Sequence, residues 1–304
     1  MTSYDSTKLP PAQRVTAAIA ALLKRGVRPW TKPWEGGDAS SVLPLRANGQ
    51  RYRGMNVVAL WAAALEAGYA SPYWYTFKQA LAQGGQVRKG EHGAYVIFYK
   101  PLTKAEARAA EDDESDEGSG RAVLRGYVVF NREQIDGLEE AQGSAPQAPS
   151  PSPDAYAARF EKVPATIRIG GGRAFYAPST DHVQMPPPDA FADRTQYYAT
   201  LAHELGHWTR HPSRLDRDFG QKRFADCGYA MEELVAELCA AFVGAVIGLP
   251  PDHLEDHAAY IQSWLDILKE QPSAFLTAAG KAQAAADYLL HLMGETPASQ
   301  ISDA

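Results

Sequence analysis

Between Glu139 and Ala155 the chain reads EEAQGSAPQAPSPSPDA, rich in proline, serine and alanine and almost free of large apolar side chains. Such a stretch cannot bury enough apolar surface to offset the entropy lost on ordering it. It therefore splits the 304-residue chain into two folding units, the number the length also suggests. The reading is a first domain over residues 1–138, a linker over 139–155 and a second domain over 156–304. EDDESDEGSG, Glu111–Gly120, reads as a solvated acidic loop inside the first domain. Strand-like YVIFYK precedes this loop and GYVVFN follows it, so the two are expected to pair across it.

Each unit has its own pattern. In the first, Val15, Ile19, Leu22 and Leu23 repeat at helical spacing and Gly26 supplies a stop. MNVVALWAAALEAG repeats that logic up to Gly68, and YTFKQALAQGG makes a third, shorter helix before the strands. In the second, ATIRIGGGRAFYAPSTDHVQMP reads as short strands around a glycine-rich turn, with DHVQMP as an edge strand on which a peptide can lie extended. Long helices follow over Arg194–Thr209 and Tyr229–Ile247, then around HAAYIQSWLDILKE and AFLTAAGKAQAAADYLLHLM. The class is α+β: an α+β first domain, then a mainly helical second domain with a small sheet.

The chemistry sits in YYATLAHELGHWTRHPSRL, Tyr197–Leu215. Residues four apart share a helix face, so His203 and His207 can aim two imidazoles at one ion. Glu204 is rotated about 100° from His203 and stands beside that ion rather than on it. In an HExxH arrangement this glutamate takes the proton of the attacking water. His211 extends the ladder, but eight residues of helix rise about 12 Å, too far for it to share the ion with His203. The next helix begins YAMEELVAELCAAF and offers Glu233 as third ligand, with Glu232 and Glu237 as rivals. Glu237, one turn beyond Glu233, suits a carboxylate hydrogen-bonded to a ligand histidine. Ala240, Ala241 and Gly244 continue that face and would let the helix approach Gly206 closely. Two imidazoles and a carboxylate make Zn2+ the expected cofactor, with Mn2+, Co2+ or Ni2+ able to replace it. Tyr176 and Tyr197 are candidates to steady an oxyanion, against simple packing.

Charge is uneven. Residues 1–110 carry 15 Lys and Arg against 6 Asp and Glu, although the whole chain is at −6. The basic half interleaves cations with aromatic rings, as a binder of single-stranded nucleic acid does. Trp30, Trp34 and Trp74 are the expected stacking rings, and Arg53, Lys78, Arg88 and Lys89 the expected phosphate contacts. Trp61 lies within an apolar helix and reads as core. No apolar run approaches the roughly 20 residues of a membrane span. MTSYDSTKLPPAQRV lacks a basic segment followed by an apolar one, so no signal peptide and no membrane partner are expected. With only Cys227 and Cys239, the expected setting is the reducing cytoplasm.

NGQRYRGMNVVALW, GYASPYWYTFKQALAQGGQVRKGEHG, GYVVFNREQIDGL, LAHELGHWTRHPSRLDRDF and YAMEELVAELCAAF together resemble the ArdC-type antirestriction proteins of conjugative plasmids and related mobile elements. The resemblance covers nearly the whole chain apart from the acidic loop and the linker. It implies an N-terminal single-stranded DNA-binding domain, similar to one in plasmid DNA primases of the TraC type. It also implies a C-terminal zincin-like metallopeptidase domain, gluzincin-type, with metal at His203 and His207, Glu204 catalytic and the acidic ligand within EELVAE. The implied role is protection of incoming single-stranded DNA from host restriction, with a protein substrate or a restriction component as further partner. Arg210 departs from the family pattern, which leads one to expect glycine there. Two other functions fit: a non-catalytic DNA-coating protein with a structural or vestigial metal, and a primase accessory. The last is disfavoured by the lack of an acidic nucleotidyl-transfer cluster.

Overall fold

Pro11 opens helix α1 (Pro11–Lys24), where its fixed φ fits and its missing N–H is not needed. The expected stripe, Val15, Ile19, Leu22 and Leu23, is buried. The structure, a computed structural model, describes residues 9–30, 43–101, 122–138, 151–219, 225–249 and 258–295. Trp34, the acidic loop and linker residues 139–150 lie outside them.

The first half continues through β1 (Leu45–Arg46), α2 (Met55–Ala67), β2 (Tyr73–Thr76), α3 (Phe77–Ala82), β3 (Gln86–Val87), β4 (Ala94–Pro101), β5 (Ala122–Asn131) and β6 (Ile135–Asp136). Gly68 closes α2 in the left-handed conformation, φ 73°, which a Cβ would strain. Thr76 and Gln79 form a capping box at the start of α3. β4 and β5 pair antiparallel, as their patterns lead one to expect, in a four-stranded sheet ordered β1-β2-β5-β4. β3 and β6 form a separate two-stranded ribbon.

In the second half, Ser152 accepts a hydrogen bond from the backbone N–H of Ala155 and caps α4 (Pro153–Phe160), so helix begins inside the linker segment. β7 (Thr166–Ile169), β8 (Phe175–Ala177) and β9 (His182–Met185) form a sheet ordered β7-β9-β8. HVQM is therefore the central strand, parallel to β7 and antiparallel to β8, and the expectation of an edge there is corrected. Val183 and Met185 are fully buried, which suits the middle of a sheet rather than its rim. The edge beside the histidine helix is β8. Four helices follow: α5 (Arg194–Trp208), α6 (Ala225–Ile247), α7 (Ala258–Glu270) and α8 (Ala274–Met293). No helix among the described residues is long and apolar enough to cross a membrane.

The apolar cores of the two halves are continuous. Trp30 packs against Trp264 and Phe275 with ring centroids 5.8 and 6.2 Å away, and Trp61 lies 5.9 Å from Phe242. Polar ties cross the same junction: Gln283 accepts from the Gly54 N–H at 2.9 Å, and Arg53 donates to Asp287 at 2.5 Å. Full burial of each such large apolar side chain is worth about 1.5–3 kcal/mol, so the junction holds the halves as firmly as a domain interior.

Helices α5 and α6 cross where Gly206 meets Ala236, not the expected Ala240–Gly244 stretch. A Cβ on Gly206 would lie 3.1 Å from Ala236 Cα and 3.3 Å from its carbonyl oxygen. The face at Gly244 is taken instead by the Leu249 carbonyl, 2.7 Å from where its Cβ would be. Gly206→Val is accordingly expected to destabilise the protein by about 2–3 kcal/mol through overpacking. A denaturant midpoint matching wild type would show that the helices can separate without loss.

Candidate metal centre

Asp193 accepts a hydrogen bond from the Gln196 N–H at 2.8 Å and starts α5, fixing the phase in which His203 and His207 emerge. Their Nε2 atoms lie 3.1 Å apart. Glu233, arriving from α6, brings Oε2 within 3.5 Å of His203 Nε2 and Oε1 within 3.5 Å of His207 Nε2. One donor atom from each residue lies within 4.8 Å of the others, close enough to share a divalent ion. Two imidazoles and one carboxylate are also the right chemistry for such an ion.

Behind His207 lies a network that spacing alone does not suggest. Its Nδ1 is 3.2 Å from Glu232 Oε1. Arg217 grips that carboxylate with Nε at 2.8 Å and Nη2 at 2.7 Å, and donates to the Gly206 carbonyl at 2.9 Å and to Thr209 Oγ1 at 3.0 Å. A carboxylate on Nδ1 keeps the ring proton there and leaves the Nε2 lone pair facing the cluster. Burial works against charge on the His207 ring, but Glu232 and Glu233 outweigh it and push its pKa up to about 10. Burial likewise pushes the Glu233 carboxyl up, and the two imidazoles more than reverse this, holding it well below the usual range. Glu232 behaves the same way under Arg217 and His207. The shifts on His207, Glu232 and Glu233 thus come from these side chains acting on one another.

Two expectations for α6 change. Glu232, the rival ligand, is 2 % exposed and meets His207 at Nδ1, behind the cluster, rather than joining His203 and Glu233. Glu237 does not reach the histidines: its Oε1 accepts from Arg28 Nη1 at 2.8 Å and from the Trp30 indole N–H at 3.0 Å. The helix turns Glu237 toward the other half, where a cation and an indole donor make its burial tolerable.

The cluster opens into a cavity of about 580 Å³ that Glu204, Tyr176, Tyr229, Arg173 and Arg210 also line. Tyr176 is held by Asp181 at 2.9 Å, and burial with that carboxylate pushes its pKa up to about 12. Tyr197 is packed against Phe191 and Tyr198, and does not line the cavity. Tyr229 was not foreseen, although it stands one turn before Glu233 on the same face. Although Tyr229 is 56 % exposed, partial desolvation, the Tyr260 hydroxyl 3.4 Å away and the Glu233 carboxylate raise its pKa and keep it protonated. His211 stays outside the cluster, its Nδ1 on Ser213.

The expected stacking rings fare differently. Trp30 and Trp74 are 1 % and 2 % exposed, so neither can offer a face to a base, and both expectations are corrected. Trp30 lies between polar, proline-rich neighbours because its partners come from the distant α7 and α8. Trp74 packs edge-on against Tyr69. Arg53 is engaged by Asp287, and Arg88, though exposed, lies against Glu91 and Asp136. Lys78 and Lys89 are exposed. Among the described residues of this half, Phe77, Phe98 and Tyr127 are exposed rings.

Residues 10–130 match the model of the N-terminal domain of the anti-restriction factor ArdC, and residues 154–281 that of a zincin-like metallopeptidase. The crystal structure of the metal-free antirestriction ArdC protein from plasmid R388 is 42% identical, covers 94% of this chain and 98% of its own, and has a TM-score of 0.75. Its Mn(II)-bound form is 40% identical, covers 97% and 100%, and has a TM-score of 0.76. An uncharacterized Sinorhizobium fredii protein, y4eC, is 41% identical over 280 residues, 91% of this chain and 90% of that protein. The DNA primase TraC of Escherichia coli is 39% identical over 305 residues, but this chain spans only 27% of its length. By the match of both halves, in order, and by identity along nearly its whole length, the chain belongs to the ArdC family of antirestriction proteins.

Proposed function

We propose that this chain is a cytoplasmic antirestriction protein of a mobile element that binds single-stranded DNA through its first half, residues 1–138, and hydrolyses a peptide bond in the second, residues 156–304, shielding incoming DNA from host restriction. The observation that carries the reading is the convergence of His203, His207 and Glu233 at the floor of an open cavity that Glu204 also lines. These three residues would hold a divalent ion, Zn2+ by donor set, with Mn2+ supported by the R388 relative. When bound, the ion supplies Lewis acidity, easing loss of a proton from water and polarising a carbonyl.

The chain's own residues do the rest. Glu204 takes the water's proton and returns it to the departing amine. Glu232, clamped by Arg217, keeps the Nδ1 proton of His207 in place so that Nε2 stays available. Tyr229, protonated and on the cavity wall, is placed to donate toward a developing oxyanion, whereas the one hydroxyl proton of Tyr176 goes to Asp181. Among the described residues β8 pairs on one side only, and its other edge offers backbone groups along which an extended peptide can lie. The R388 relative matches this chain equally well in its metal-free and Mn(II)-bound forms, which speaks against a purely structural ion.

On the first half, Lys78, Arg88 and Lys89 supply surface charge and Phe77, Phe98 and Tyr127 supply exposed rings. Binding of an oligo-dT by the full chain is expected to weaken steeply with salt, by about tenfold or more between 50 and 200 mM, because cations on phosphates release counterions. Fluorescence anisotropy checks this. Tighter binding to duplex than to single strand, or affinity flat with salt, would remove the nucleic-acid part of the proposal.

A further inference from the structure

We propose that Arg173 and Arg210 form a cationic wall of the metal cleft that selects peptides with an acidic side chain beside the bond to be cleaved; this rests on the peptidase reading above. Glu204 apart, the other charged groups around the cleft are matched with one another. Glu233 faces the two histidines, Glu232 is held by Arg217, and Asp181 is held by Arg214 at 2.5 and 3.0 Å. Arg173 and Arg210 line the same cavity, yet among the described residues neither guanidinium makes a hydrogen bond or an ion pair. The main chain of Arg210 is fixed directly beyond the histidine helix, its N–H donating to the His207 carbonyl at 3.0 Å and its carbonyl accepting from the Arg217 N–H at 3.0 Å. Its side chain therefore starts from a rigid base one turn past a metal-facing histidine. Arg173, exposed to solvent, joins the cavity lining two residues before β8.

A guanidinium at a partly enclosed site binds a carboxylate through charge-assisted, often bidentate hydrogen bonds, and more strongly than on open surface. A peptide is the better fit than a nucleic-acid strand for two reasons. The edge of β8 that is unpaired among the described residues presents backbone N–H and C=O groups that an extended peptide complements and a phosphodiester does not. A nucleic acid would also carry one negative charge per nucleotide past Glu204, Glu232 and Glu233, whereas a peptide can place a single carboxylate on the arginines.

The test uses the full chain and fluorescent peptides of about ten residues, made in pairs that differ only by Glu or Gln at one scanned position. Binding is read by anisotropy on zinc-loaded Glu204→Gln protein, and cleavage by mass spectrometry on wild type. At one or two positions the Glu peptide is expected to bind about tenfold tighter than its Gln partner. Adding Arg173→Gln and Arg210→Gln together should erase the difference, and Arg210→Glu should turn the preference toward Lys, with metal content and melting temperature held. The proposal is overturned if Glu and Gln peptides bind alike, if no Glu peptide binds measurably, or if the double replacement keeps the preference. It is also overturned if that replacement leaves peptide discrimination intact and instead weakens oligo-dT binding, since the pair would then serve phosphates. Acidic preference in binding with no cleavage by wild type would uphold the recognition and sink the peptidase reading.

Discussion

Glu204→Gln is expected to lower peptide hydrolysis by about 10²–10⁴-fold, the range over which a positioned general base contributes. The replacement keeps the size and polarity of a side chain that is only 7 % exposed, but removes the group that accepts the water's proton. Metal content and oligo-dT affinity should be unchanged, because Glu204 belongs neither to the donor cluster nor to the first half. The readout is a paired rate measurement on wild type and variant at equal metal loading. Equal rates would remove Glu204 from the mechanism, and loss of metal in the variant would make it a ligand instead.

The second large effect is one of stability. Arg217→Met is expected to cost about 3–5 kcal/mol, because it strands the Glu232 carboxylate among buried groups. Both side chains are nearly inaccessible, at 2 % and 3 % exposure, so water cannot take over the lost hydrogen bonds. Pairing the change with Glu232→Leu should recover much of the loss, since no unpaired charge is left behind. The double variant should still hold metal more weakly than wild type, its His207 having lost the carboxylate that orients it. Urea titration of the single and double variants checks the first point and metal competition the second. Equal destabilisation by both would mean that the arginine acts through packing alone.

Much of this architecture follows from local pattern. The helices, the β4–β5 pairing and the opposition of His203 and His207 depend on spacing of 3.6 or 2 residues, which the order of residues displays directly. Glu233 does meet the histidines, but not for the reason its spacing from Glu237 suggested. Glu233 and Glu237 do not share a partner: Glu237 meets Arg28 and Trp30, more than 200 positions earlier in the chain. No periodicity signals a partner at such range. The same gap hid Arg217, which looks like one basic residue in a polar loop until α6 carries Glu232 against it. It also misplaced Trp30 and Trp74. Their flanking prolines and charges look like surface, yet the second half supplies Trp264 and Phe275 to cover Trp30. The sheet order decided β9 likewise: strand pattern shows that HVQM is extended, not which neighbours it acquires.

His203, His207 and Glu233 are proposed to hold together the ion on which the cleft's chemistry depends. The most direct test is metal content by mass spectrometry on purified wild type, Glu233→Ala, Glu232→Gln and Glu204→Gln proteins, each confirmed folded by melting. About one divalent ion per chain is expected in wild type and Glu204→Gln, a weaker site in Glu232→Gln, and almost none in Glu233→Ala. Full metal content in Glu233→Ala, or none in wild type after reconstitution with zinc or manganese, would contradict this assignment.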